Sequence, residues 1–212
     1  MESETVIADL TSSERADLLK TANVRSFPRN TIVISEGDDT DAVYFILGGR
    51  VKVYLSDENG REVDIGFLGS GEYFGEMALE PGYRSASVIT MEPCKLAVVR
   101  MEDFRLFLRN HPDFAYQLIT RLIRRARTVT KSLKNLALLD VYGRLSQLLH
   151  ELAKPEGESW VIDEPMSQHQ IACRIGCSRE MVSRIFKDLV AGNYLSVYRG
   201  RIEIKRRLPR SW

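Results

Sequence analysis

The sequence predicts an α+β protein in which a strand-rich N-terminal roll, one long helix and a C-terminal winged helix-turn-helix follow one another. Three patterns carry this reading. Short β-branched runs recur between Thr31 and Val99; the period turns helical from Glu102, with no breaker between Pro112 and Leu136; and two short capped segments flank Gly176 ahead of a strand pair. The expected domains are residues 1–111 for the roll with its flanking helices, 112–137 for the long helix and 138–212 for the winged domain.

The first helix is announced by Thr11-Ser12-Ser13-Glu14, where hydroxyl and carboxylate can satisfy each other's backbone donors. Strands are expected at Thr31–Ile34, Ala42–Leu47, Val51–Leu55, Glu62–Phe67, Ala86–Thr90 and Lys95–Val99, with Gly48-Gly49 and Asn59-Gly60 as hairpin connections. The long helix starts at Pro112, a favourable first-turn residue. Its apolar residues Leu118, Leu122, Ala126, Val129, Leu133 and Leu136 step by three and four, a seam narrow and long enough to pair two copies of the helix, with packing against its own roll as the alternative. Arg121, Arg124, Arg125 and Arg127 flank that seam and read as a solvated face.

Asp140 is the expected N-cap of a helix over Val141–Ala153, which places a hinge at Leu138–Asp140; Pro155-Glu156-Gly157-Glu158 reads as a turn. Ser167-Gln168-His169-Gln170 opens a second capped helix that Gly176 breaks. Ser178 opens a third, reaching about Val190, and Ser196–Tyr198 with Arg201–Ile204 form a hairpin wing.

Composition narrows the function classes. Of the 212 residues 44% are hydrophobic and 28% charged, which excludes collagen, a coiled-coil rod and a disordered tail. No run is long and apolar enough for a membrane helix, and Glu2, Glu4, Asp9 and Glu14 stand where a secretory leader needs a basic start, so a cytoplasmic location without membrane attachment is expected. Cys94, Cys173 and Cys177 with three histidines form no spacing typical of a metal site, and no metal is expected; Cys173 and Cys177 read as small buried residues. Net charge is +1, but from Ser167 onward ten basic residues face three acids, so that end carries +7 and the remainder −6. The asymmetry suits a sensing part joined to a part that meets a polyanion.

The second helix of a helix-turn-helix lies in the DNA major groove, where residues near its N-terminus reach base edges. Here Arg179 can donate a fork to guanine, Glu180 can accept from a cytosine amino group, and Arg184 follows about one turn later, while Val182, Ile185 and Leu189 pack inward. Ser167 and Ser178 at helix starts, with Arg199 and Arg201 of the wing, are candidate DNA-backbone contacts.

Gly75-Glu76-Met77, Arg84-Ser85-Ala86, Asn135-Leu136-Ala137-Leu138-Leu139-Asp140-Val141 and Gly176-Cys177-Ser178-Arg179-Glu180 with Arg184 resemble the CRP/FNR family of bacterial transcription regulators, and within it the catabolite activator branch. The resemblance covers nearly the whole chain. It implies a β-roll of the cyclic-nucleotide-binding type, a long dimerisation helix, a homodimer on two-fold symmetric double-stranded DNA, and Arg179, Glu180 and Arg184 as readers of TGTGA-like half-sites. RNA polymerase is the further partner it implies.

The roll motif has its own chemistry. A cyclic nucleotide offers a phosphodiester, a ribose hydroxyl and a purine: Arg84 can pair with the phosphate, Ser85 can add a hydroxyl donor, Glu76 can accept from the ribose, and Gly75 permits close backbone approach. Read alone, Gly75-Glu76 is a turn with a surface acid and Arg84 a solvated charge. The connection from Glu76 to Arg84 is shorter than in the catabolite activator branch. On the long helix Val129-Thr130 stands where the branch presents two hydroxyls to adenine, so the phosphate half of the pocket is better supported than the base half. The expected effector is cAMP, with cyclic di-GMP, another effector or none as alternatives. No cysteine cluster precedes Cys94 and no cysteine or histidine directly follows Gly75-Glu76, which argues against iron–sulfur and haem sensors. An enzyme of cyclic-nucleotide turnover is the alternative from another class. Against it, the sequence has no phosphate loop and no placed nucleophile and base, and Gly69-Ser70-Gly71 lacks the third glycine of a dinucleotide fingerprint.

Overall fold

The computed structural model describes residues 10–157, 159–163, 166–198 and 200–209. The chain divides into two compact units, residues 1–55 with 64–127 and residues 56–63 with 128–212. Among the described residues no helix is long and apolar enough to cross a membrane.

The first unit opens with α1 (Ser12–Thr21), whose Thr11 hydroxyl and Glu14 carboxylate form the expected reciprocal cap. Eight strands follow: β1 (Asn23–Phe27), β2 (Ile32–Ile34), β3 (Ala42–Gly48), β4 (Val51–Ser56), β5 (Glu62–Leu68), β6 (Tyr73–Phe74), β7 (Ser87–Thr90) and β8 (Cys94–Arg100). They form two four-stranded sheets, ordered β1-β8-β3-β6 and β2-β7-β4-β5. Asn59-Gly60 lies between the neighbours β4 and β5, as a hairpin requires. Gly48-Gly49 corrects the reading: β3 and β4 belong to different sheets, so this pair carries the chain across the roll and closes no hairpin.

β1 was not expected, because four of its five residues are exposed and no apolar alternation marks it. It is held instead by its antiparallel register on β8, from Asn23 opposite Val98 to Phe27 opposite Cys94. Between the β1-β8-β3-β6 sheet and the helices that follow it, α2 (Met101–Asn110) first, an aromatic cluster forms one core: Phe45, Tyr73, Phe104 and Phe114 lie with ring centroids 5.4 to 6.5 Å apart.

The long helix α3 (Pro112–Leu138) is continuous. The expected seam is corrected in its first two turns. Leu118 is buried in the roll's core and Leu122 packs against it. Tyr116, Ile119 and Ile123 are exposed apolar positions that the seam did not include. Of the residues read as a seam, Ala126, Val129, Leu133 and Leu136 are exposed.

The second unit continues with α4 (Val141–Leu152), capped by the Asp140 carboxylate accepting from the Gly143 amide at 2.7 Å. A four-stranded sheet, ordered β11-β12-β10-β9, comprises β9 (Lys154–Glu156), β10 (Ser159–Ile162), β11 (Leu195–Tyr198) and β12 (Arg201–Ile204). The expected turn at Pro155 is therefore the edge strand β9 followed by a turn at Gly157; Pro155 lies opposite Trp160 on an edge, where a missing amide costs no ladder bond.

α5 (Gln168–Ile175) and α6 (Arg179–Ala191) form the helix-turn-helix. Ser167 and Gln170 make the reciprocal cap of α5, and the Ser178 hydroxyl caps α6. Gly176 ends α5 at φ +65°, a conformation L side chains rarely adopt. Val182, Ile185, Phe186 and Leu189 of α6 join Ile171 and Ile175 of α5, Leu145 and Leu149 of α4, and Ile202 and Ile204 of the wing in one core. Cys173 is buried as expected, and Cys177 is half-buried.

Candidate functional site

In the roll, Gly75 stands at φ +85° just before a short 3-10 helix, Glu76–Leu79. A Cβ there would lie 2.8 Å from the Ala42 carbonyl oxygen and 3.0 Å from Arg84 Nη1. The close approach that requires glycine is therefore made by the chain itself.

Arg84 is 7% exposed, so it is no solvated charge. Its Nε donates to Thr40 Oγ1 at 2.6 Å, Nη1 to the Gly75 carbonyl at 2.9 Å and Nη2 to the Ala42 carbonyl at 2.7 Å. These three acceptors are neutral. Burial pushes the Arg84 guanidinium pKa down, while Tyr44, Asp41, Glu76 and Asp38 act in the opposite sense. A desolvated cation with neutral hydrogen-bond acceptors is an arrangement that an anion would complete.

Glu76 is also buried, which removes the surface-acid reading. Its Oε1 accepts from Arg125 Nη1, and Arg125 Nη2 donates to the Tyr73 carbonyl at 3.0 Å. Arg125 was read as a solvated flank and is instead the partner of the residue expected to meet the ribose. Arg121 likewise lies over the Tyr73 ring, 4.7 Å from its centroid. Neither role was legible, since Arg125 and Glu76 are 49 positions apart. Thr40 was also missed.

The structure brings Gly75, Glu76 and Arg84 together, with Ser85 exposed next to Arg84. Arg84 is buried while its neighbours Tyr83 and Ser85 are exposed, and the Ser85 hydroxyl donates to Met77 Sδ at 3.3 Å. Val129 and Thr130 belong to the second unit and are exposed on α3.

In the second unit, Arg179, Glu180 and Arg184 are all exposed on α6, with Val182, Ile185 and Leu189 on its buried side. The Ser178 hydroxyl accepts from the Met181 amide at 3.2 Å, fixing the start of the helix. The Glu180 carboxylate is held below its ordinary pKa by its own backbone amide at the helix start and by the Ser178 hydroxyl, so it stays an acceptor. The Ser167 hydroxyl accepts from the Gln170 amide at 3.2 Å.

Arg201 pairs with Glu156 and, at 3.2 Å, with Asp163. Arg199 lies outside the described residues. Arg144, which the sequence did not single out, donates to the Ile175, Gly176 and Leu139 carbonyls at 2.7, 3.3 and 2.9 Å, tying the turn of the helix-turn-helix to the start of α4.

Residues 24–111 match the cyclic nucleotide-binding domain family and residues 143–208 the Crp-like helix-turn-helix domain family. The chain is 32% identical over 189 residues to the cAMP-activated global transcriptional regulator CRP of Pasteurella multocida, covering 85% of this chain and 88% of that one. It is also 32% identical over 184 residues to the cAMP-activated global transcriptional regulator Vfr of Pseudomonas aeruginosa, covering 81% and 84%. Among solved structures, the c-di-GMP responsive global regulator CLP of Xanthomonas campestris superposes with a TM-score of 0.81 at 27% identity, over 92% of this chain and 100% of that one. These relatives are regulators, and the enzymatic alternative falls away. With a nucleotide-binding roll ahead of a Crp-like reading domain, and 32% identity to a CRP regulator over 85% of its length, the chain belongs to the CRP/FNR family of bacterial transcription regulators.

Proposed function

We propose that the chain works as a cytoplasmic homodimer whose grip on double-stranded DNA is set by a cyclic nucleotide, with cAMP as the effector. Arg179, Glu180 and Arg184 read TGTGA-like half-sites, and Ser167, Ser178 and Arg199 contact the DNA backbone. The observation that carries this reading is the outward face of α6, where two guanidinium groups and an ionised carboxylate stand on a helix anchored by its buried side. Those groups are the donor and acceptor set that distinguishes guanine and cytosine edges. Arg201 contributes only if it leaves Glu156 and Asp163.

On the effector side, the reading rests on Arg84, a buried cation whose hydrogen bonds all go to neutral oxygens. A phosphodiester would supply the missing charge, Glu76 with Arg125 would meet the ribose, and the Ser85 hydroxyl would join the phosphate on leaving Met77. Val129 and Thr130 would meet the base. Two curated relatives are named as cAMP-activated. A second reading, cyclic di-GMP, is favoured by the likeness to the c-di-GMP responsive CLP and by the single hydroxyl of the Val129-Thr130 pair. Pairing of two copies would use the outward apolar positions of α3, and RNA polymerase would be the partner at the promoter.

Titration calorimetry of wild type and Arg84→Leu with cAMP, cGMP and cyclic di-GMP tests the effector assignment. Binding of cAMP by wild type alone supports it. Binding of cyclic di-GMP in preference replaces cAMP, and binding of none removes nucleotide control.

A further inference from the structure

The connection between β2 and β3 wraps around Arg84. It opens with a turn in which the Asp38 carboxylate accepts from the Ser35 amide at 3.1 Å, the Asp38 amide donates to the Ser35 carbonyl at 3.2 Å, and Gly37 takes φ +83°. The turn presents the backbone groups that Arg84 uses: the Arg84 amide donates to the Asp38 carbonyl and the Arg84 carbonyl accepts from the Gly37 amide, each at 2.9 Å. Beyond it, Thr40 Oγ1 and the Ala42 carbonyl meet the guanidinium.

The hydrogens of the guanidinium separate these contacts. Nε carries one and each terminal nitrogen carries two. Thr40 takes the Nε hydrogen at 2.6 Å, while the Gly75 and Ala42 carbonyls take one each from Nη1 and Nη2. What is left is one hydrogen on each terminal nitrogen. An anion that adds to these contacts without breaking them is therefore met by Nη1 and Nη2 alone. Gly75 and Ala42 act through backbone carbonyls that any residue would present, so Thr40 is the acceptor whose presence depends on the side chain at its position.

Resting on the nucleotide reading above, we propose that Thr40 is a positioning residue of the anion site, holding Arg84 Nε so that the guanidinium meets the phosphate of the effector with its terminal nitrogens. The Nε–H of a buried cation needs an acceptor, and a hydroxyl supplies one without neutralising the charge. A carboxylate at this position would satisfy Nε and compete with the effector; an apolar side chain would leave the cation without its third anchor.

The test is titration calorimetry of wild type, Thr40→Val, Thr40→Ser and Arg84→Leu with cAMP and cyclic di-GMP, together with NMR of the arginine Nε–H groups. Thr40→Val keeps the shape of an exposed side chain and removes the acceptor, so its melting temperature should stay close to that of wild type. It should weaken whichever nucleotide wild type binds by roughly tenfold, the scale of one hydrogen bond to a charged group. Thr40→Ser should restore the affinity, a rescue that packing at residue 40 would not give. The Arg84 Nε–H signal, assigned by its loss in Arg84→Leu, should be protected from exchange in wild type with and without nucleotide, and unprotected in Thr40→Val. If Arg84→Leu abolishes binding while Thr40→Val binds as well as wild type or more tightly, or if nucleotide strips the protection from Nε–H in wild type, the role of Thr40 is overturned and the Arg84 site stands. If wild type binds neither nucleotide, or Arg84→Leu binds as wild type does, both fail.

Discussion

Removing Arg125 should unsettle the roll by an amount that its surroundings fix in advance. Arg125→Leu keeps an apolar stem but withdraws the cation from Glu76, whose side chain is 4% exposed, and the donor from the Tyr73 carbonyl. Breaking a fully buried ion pair from one side costs about 3–5 kcal/mol. The Arg125 side chain is 34% exposed, so it gives up less hydration in pairing, and solvent can reach the site it leaves; a cost of roughly 2–3 kcal/mol is the consistent figure. For a unit of this size that lowers the melting temperature by roughly 6–12 °C. The assay is thermal unfolding of wild type, Arg125→Leu, Glu76→Gln and the double variant. The double variant should recover at least half of the loss, because a neutral amide no longer buries an unpaired charge. An Arg125→Leu melt equal to wild type, or a double variant no more stable than Arg125→Leu, would refute the claim that this pair holds the 3-10 helix against α3.

Three further outcomes follow from other contacts. Gly176→Ala should cost about 1 kcal/mol or slightly more in urea unfolding of the C-terminal domain, since φ is +65° and the new Cβ would stand 3.3 Å from Leu136 Cδ2; nucleotide affinity should not change. Leu133→Lys should shift sedimentation from dimer to monomer, because pairing α3 would bury an unpaired ammonium; an intact, folded dimer would remove α3 from the interface. The Thr11 amide and hydroxyl hold the Glu14 pKa below its ordinary value. A lowered folded pKa stabilises above the unfolded value of about 4.3 and is lost as pH falls through the folded one. The melting-temperature gap between wild type and Thr11→Ala should therefore be constant above about pH 5 and narrow below it.

The elements that local chemistry determines were legible in the sequence. Thr11 with Glu14 and Ser167 with Gln170 are reciprocal caps in both readings, Asp140 and Ser178 cap the helices they were expected to cap, and Gly176 takes the left-handed conformation that separates α5 from α6. What escaped depended on distant neighbours. β1 has no alternation because its register on β8 holds it, and β9 contains a proline that only an edge position permits. The first two turns of the α3 seam were misread because two apolar stripes overlap there: Leu118-Leu122 faces the roll, Ile119-Ile123 faces out, and Ala126, Val129, Leu133 and Leu136 are exposed. At the site, sequence pointed to Gly75, Glu76 and Arg84 as residue types. It could not show that Arg84 bonds inward to Ala42 and Thr40, that Arg125 takes Glu76, or that Arg201 is already paired.

The central claim is that nucleotide binding in the roll sets sequence-specific DNA reading by α6. Fluorescence anisotropy of a TGTGA palindrome and a scrambled duplex, at fixed salt, with and without cAMP and cyclic di-GMP, tests it in one measurement on wild type and Arg179→Ala. The account predicts that cAMP brings wild type onto the palindrome well ahead of the scrambled duplex, and that Arg179→Ala loses discrimination by about 1–3 kcal/mol per half-site while its salt-sensitive background binding persists. Equal affinity for the two duplexes in every condition, or undiminished discrimination by Arg179→Ala, would contradict it.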